Sequence, residues 1–155
     1  MALEVGQEAP DFSLPSHEGE TVTLSELRGT PVVIAFFPLA FSGVCTRQFE
    51  SLGGSGDAYG GGTARVLAIS LDHSNSQRAF AEQLGLEGVT FLSDFLPRGL
   101  VSNAYGIFVE ERGHSGRAWI VVDADGIVRD VHYGPPLEVP DAGAVRAAVE
   151  ACSLG

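Results

Sequence analysis

The most constraining stretch of this chain is VVIAFFPLAFSGVCTRQFESL, Val32 to Leu52. The apolar run Val32 to Phe37 predicts a strand buried on both faces, since a half-exposed strand would alternate apolar with polar residues. Pro38 ends the strand, because proline has no N–H for the next rung of a sheet. A short loop follows, Leu39 to Gly43, with a hydroxyl at Ser42 and a flexible glycine at its end. Beyond Cys45, Phe49 and Leu52 recur at helical spacing, which puts Cys45 in the first turn of a helix. A helix start has unpaired N–H groups and partial positive charge, and both stabilise a thiolate. Most lone cysteines are core filler; this one has the place of a nucleophile.

The rest of the chain supplies elements to hold that stretch. Thr21 to Leu24 reads as a short strand and Ser25 to Gly29 as one helical turn closed by glycine, together a small hairpin and lid after the extended Val5 to Ser16. Strands are predicted at Arg65 to Leu71, Val89 to Leu92, Ala118 to Asp123 and Ile127 to Tyr133. The last two are joined by a tight turn at Ala124-Asp125-Gly126. Helices are predicted over Asn75 to Leu84, Gly99 to Tyr105 and Ala142 to Ala151, and a polar loop over Phe108 to Gly116. GGSGDAYGGGTAR reads as a flexible surface loop, and no Gly-Lys-Ser/Thr follows that would make it a phosphate loop. Strand and helix in alternation, then a hairpin and a helix, is an α/β pattern with a mixed central sheet.

With 155 residues and 45% hydrophobic content, a single domain over 1–155 with a sizeable core is expected. No stretch approaches the roughly 20 apolar residues of a membrane helix. MALEVGQEAPDF has neither a basic region nor an apolar signal core, so the expected location is the cytoplasm. The net charge is −11 and every basic residue is arginine, which argues against nucleic-acid phosphates and anionic membranes as partners. Two cysteines, Cys45 and Cys152, make no disulfide framework and no C-x-x-C. His17, His73, His114 and His132 are widely spaced, so no metal and no cofactor are expected.

Pro38-x-x-x-Ser42-x-x-Cys45 matches the P-x-x-x-(T/S)-x-x-C motif of peroxiredoxins. The resemblance runs from Val5 to about Arg129, through VGQEAPDFSL, VLAISLD, FLSDF and RAWIVVDADGIVR. PLAFSGVC and DFLPRGLVSNAYGIF look most like the AhpE-type, one-cysteine branch. The resemblance implies a thioredoxin-like α/β fold, with helices flanking a mixed sheet and an N-terminal hairpin. It implies a thiol-dependent peroxidase acting on hydrogen peroxide, organic hydroperoxides or peroxynitrite. Cys45 would be the attacking residue and would become a sulfenic acid. Ser42 would hold the peroxide, Pro38 would shape the loop and shield it from water, and Arg117 would stabilise the thiolate and the departing oxygen. An external thiol, of low molecular weight or on a glutaredoxin- or thioredoxin-like protein, would recycle the enzyme, and a homodimer is expected.

Some positions depart from the family pattern. Gln48 stands where glutamate is usual, and Trp119 where smaller residues are common and could crowd the site. Two-cysteine relatives carry a resolving cysteine in a C-terminal tail, often as Val-Cys-Pro. Ala151-Cys152-Ser153 lacks that setting, and Glu50 fills the position where another branch places its resolver. Cys152 therefore reads as a helix-end residue. The competing functions are a two-cysteine peroxidase that resolves through Cys152, a redox sensor or binding module that does not turn over, and a thioredoxin-type oxidoreductase. The missing C-x-x-C counts against the last.

Overall fold

The computed structural model describes residues 3–50, 64–85, 88–134 and 142–152. The glycine-rich stretch expected as a loop lies largely outside them, as does the side chain of Gln48. In chain order the elements are β1 (Ser13–Pro15), β2 (Thr21–Thr23), a 3-10 turn (Leu24–Leu27), β3 (Val32–Phe36), α1 (Gly43–Glu50), β4 (Arg65–Ser70) and α2 (Ser74–Leu84). Then follow β5 (Val89–Ser93), α3 (Leu100–Ala104), β6 (Phe108–Val109), β7 (His114–Ser115), β8 (Arg117–Val122), β9 (Val128–Gly134) and α4 (Ala142–Cys152).

Among the described residues, the main sheet has the order β5-β4-β3-β8-β9. Strands β3, β4 and β5 are parallel; β8 runs antiparallel between β3 and β9. This is the mixed sheet of a thioredoxin-like fold. β3 is buried at every position, as its unbroken apolar run requires. Its side chains alternate between two cores. Val32, Ile34 and Phe36 pack with Leu14, Leu24, Val101 and Tyr105 on one face. Val33, Ala35 and Phe37 pack with Cys45, Phe80, Val145 and Val149 on the other. The β1–β2 hairpin thus covers the face opposite Cys45, so it is a lid over the first core and not over the cysteine.

The segment Phe108 to Gly116 departs from expectation. Where a polar loop was predicted, β6 and β7 form a two-stranded ribbon, pairing Phe108 with Ser115 and Val109 with His114. Gly113, at φ 69°, supports the turn between them, and its N–H donates to Val109 O at 2.9 Å. The charged residues of EERG mask a pairing that only two residues per strand define.

The turn from β8 to β9 is held by Asp123, whose Oδ1 accepts from Asp125 N at 2.9 Å and Ile127 N at 3.0 Å. Gly126 adopts φ 85°, and a Cβ there would run into the Arg28 guanidinium. Gly126→Ala is therefore expected to lose about 1–2 kcal/mol of stability from the left-handed backbone alone. Urea unfolding of the variant beside the parent checks this expectation.

Candidate active site

Cys45 is the third residue of α1, and α1 begins beyond the C-terminal end of β3, where ligand sites of α/β sheets gather. Ser42 caps the helix. Its Oγ accepts from Cys45 N at 3.4 Å, and its carbonyl accepts the first helical bond from Thr46 N at 2.9 Å. The same Oγ donates to Leu39 O at 3.0 Å, closing the loop between Pro38 and the helix. Thr46 Oγ1 adds a bond to Ser42 O at 2.8 Å. The Ser42 hydroxyl is thus fixed one turn before the sulfur by its duty as a cap.

Pro38 is buried. Its neighbour Phe37 is anchored on two sides: its N–H donates to Ile69 O at 3.0 Å, and its carbonyl accepts from Ser115 Oγ at 2.8 Å. Phe41 takes the left-handed φ of 68°, costly for a bulky residue at roughly 1–3 kcal/mol. Its ring rests edge-on against Phe80 with centroids 5.2 Å apart.

Arg117 opens β8. Ala118 pairs with Phe36, so Arg117 falls just past the end of β3, level with the start of the loop that leads to α1. It shares a face with Trp119 and Val121, the face that carries Cys45. Its Nη2 donates to Cys45 Sγ at 3.3 Å. Both residues are enclosed, Arg117 at 3% and Cys45 at 0% exposure. Arg117 is therefore not a surface charge at a strand edge. A guanidinium taken out of water costs several kcal/mol unless opposite charge meets it. The Cys45 sulfur lies beside that charge, where bulk water screens it little.

Trp119 does not crowd the site in the way expected. Its ring stacks on His132 of β9 at 4.1 Å with an 11° tilt, and Nε1 points to Asp130 Oδ2 at 3.5 Å. The bulk of the indole is taken up on the β9 side. Cys152 closes α4 and donates to Ala148 O at 3.5 Å. It borders a cavity of about 410 Å³ with Asp123, Arg129 and Asp130. Burial pushes its thiol pKa up, and the carboxylates of Asp123 and Asp130 add to the rise against the opposing charge of Arg129. Those neighbours sit at the far end of β8 from Arg117. Six residues make five steps of about 3.4 Å, so the strand separates its two ends by roughly 17 Å.

Sequence reasoning missed two residues that hold this loop, Ser115 and Asp72. Asp72 Oδ2 accepts from Ala40 N at 2.8 Å. Position at the C-terminal end of a buried parallel strand was a usable signal for Asp72. Ser115 carried none, since it sat in a segment read as loop.

The model of the AhpC/TSA family matches residues 5–131. The chain belongs to the AhpC/TSA family. Within it, the chain is 40% identical over 142 residues to alkyl hydroperoxide reductase E of Mycobacterium tuberculosis, covering 90% of this chain and 91% of that protein. The resemblance to the AhpE type is therefore borne out, and with it the thiol-dependent peroxidase of the peroxiredoxin kind. Among solved structures, a peroxiredoxin-like protein from Aquifex aeolicus superimposes with a TM-score of 0.87 at 24% identity, over 98% of this chain and 89% of that one. The peroxidoxin BcpB of M. tuberculosis gives a TM-score of 0.80 at 29% identity, over 96% and 97%. The family fold accounts for the mixed sheet and its flanking helices. No helix among the described residues is long and apolar enough to cross a membrane.

Proposed function

We propose that Cys45 is the peroxidatic residue, with Ser42, Arg117 and Pro38 completing the site. The observation that carries this reading is the 3.3 Å contact between Arg117 Nη2 and Cys45 Sγ at the start of a helix. The Cys45 thiolate attacks one oxygen of the peroxide in line with the O–O bond. A sulfur–oxygen bond forms, the O–O bond breaks, and the second oxygen departs with the electron pair as alkoxide or hydroxide. The alkoxide or hydroxide takes up a proton and leaves as alcohol or water; from peroxynitrite the departing group is nitrite. Cys45 is oxidised to a sulfenic acid, and the peroxide is reduced by two electrons.

Arg117 is placed to offset negative charge as it moves from sulfur to the departing oxygen. Ser42 turns its hydroxyl from Leu39 O to the bound peroxide. Pro38 offers no N–H and, being buried, keeps water from the sulfur. An external thiol then condenses with the sulfenic acid, releasing water and leaving a mixed disulfide. A second thiol frees Cys45. Hydrogen peroxide, organic hydroperoxides and peroxynitrite all present the required O–O bond. The reductant is a low-molecular-weight thiol or a glutaredoxin- or thioredoxin-like protein, in the cytoplasm. Exposed Leu39, Phe41, Leu96 and Leu100 support a homodimer.

Mass spectrometry of the reduced protein after one equivalent of peroxide tests the reading. The Cys45 peptide should gain one oxygen and lose it again on adding thiol, with catalytic consumption of further peroxide. Oxidation confined to other residues, or a single oxidation that no thiol reverses, would contradict it.

A further inference from the structure

The loop from Pro38 to the start of α1 must hold Ser42 at a set distance and angle from Cys45. The bonds of Ser42 do not do this alone. Its Oγ accepts from Cys45 N at 3.4 Å and donates to Leu39 O, its N–H also donates to Leu39 O, and its carbonyl accepts from Thr46, so all of these bonds stay within the loop and its helix. The 2.8 Å bond from Ala40 N to Asp72 Oδ2 joins the middle of the loop to the end of β4 instead.

Asp72 is itself held from several directions. The same Oδ2 accepts from Ser70 Oγ at 2.6 Å, and the Asp72 carbonyl accepts from Ser93 Oγ at 2.6 Å. Ser70 Oγ in turn accepts from Gln77 Nε2 at 2.9 Å, and that amide also donates to Leu92 O at 2.7 Å. Ser70, Gln77 and Ser93 are all buried, at 0%, 0% and 2% exposure. A network of this kind, drawn from β4, α2 and β5, has fixed rotamers and little freedom to drift.

We propose that Asp72 is a positioning residue for the peroxidase reaction. Its carboxylate locks the Leu39–Ser42 turn to the sheet and so sets the Ser42 hydroxyl against Cys45. It also holds Phe41 in its left-handed conformation, which an unanchored loop would relax. Asp72 touches neither sulfur nor peroxide in this role. The inference rests on reading Cys45 and Ser42 as the reacting pair.

The test compares two rates in each variant: peroxide oxidation of reduced Cys45 in a single turnover, and alkylation of Cys45 by iodoacetamide. The first needs an aligned peroxide; the second needs only a reactive thiolate. Asp72→Ala should slow peroxide oxidation on the order of tenfold, as expected for one lost orienting hydrogen bond, while alkylation stays within about twofold. Both bonds fall on a single oxygen, so Asp72→Asn can keep both through its amide oxygen and should recover most of the rate. Ser42→Ala combined with Asp72→Ala should be little slower than Ser42→Ala alone, since the two act through one hydroxyl.

An Asp72→Ala rate equal to the parent overturns the inference. So does a fall in alkylation that matches the fall in peroxide oxidation, or an Asn variant no better than Ala. Fully multiplicative losses in the double variant would do the same. A parent-like rate in Ser42→Ala removes the reacting pair itself, which separates failure of that reading from failure of the role given to Asp72.

Discussion

Replacing Arg117 with alanine should slow peroxide reduction on the order of a hundredfold or more, with the far-UV circular dichroism unchanged. Arg117 is 3% exposed and its Nη2 donates to Cys45 Sγ at 3.3 Å, so its charge acts on the sulfur with little screening by bulk water. Removing one preorganised donor from a developing negative charge costs roughly 2.7–4 kcal/mol in comparable sites. Alkylation of Cys45 should slow as well, because Arg117 acts on the sulfur itself. In that respect it differs from Asp72, whose loss should leave alkylation nearly untouched. Arg117→Lys should recover only part of the rate. An ammonium presents one point of charge and cannot span sulfur and departing oxygen with a planar fork. Stopped-flow measurement of Cys45 oxidation decides the matter, and a parent-like rate in the alanine variant would take Arg117 out of the site.

The second large effect concerns the two cysteines. Cys45→Ser should abolish thiol-dependent turnover, while Cys152→Ser should retain it in full with an external thiol. A disulfide needs the two Cα atoms within about 7 Å. Cys45 sits by Arg117 at one end of β8, and Cys152 borders Asp123 and Asp130 towards the other, with roughly 17 Å of strand between the two ends. Cys152 is also a poor attacking thiol, since burial and two carboxylates push its pKa up and hold it protonated near neutral pH. Non-reducing peptide mapping after one equivalent of peroxide should therefore find sulfenic acid on Cys45 and no Cys45–Cys152 bridge. A near-stoichiometric bridge, within or between chains, would make this a two-cysteine enzyme.

The strand, the break and the helix around the cysteine can be read from the chain without its fold. Those depend on local chemistry: an apolar run too long to be half-exposed, a proline without an N–H, and apolar spacing of a helix after Cys45. The motif Pro38, Ser42, Cys45 lies within one such stretch and was legible for that reason. The β8–β9 turn was legible too, because Asp123 and Gly126 carry the turn in their own side chain and backbone freedom. The β6–β7 ribbon was not, since a pairing of two residues per strand leaves no periodicity to read.

Which distant residues reach the loop depends on the folded sheet. Arg117 is 72 positions from Cys45 and could as well have been a surface charge; the antiparallel pairing of β8 with β3 turned it inward onto the sulfur. Trp119, two residues on, looked crowding in sequence, yet its ring lies over His132 because β9 offers a flat partner on that side. Asp72 and Ser115 are 32 and 78 positions from the loop atoms they hold. A hydrogen bond across such a gap depends on strand order and register, which are set by the packing of the whole sheet and not by any local pattern.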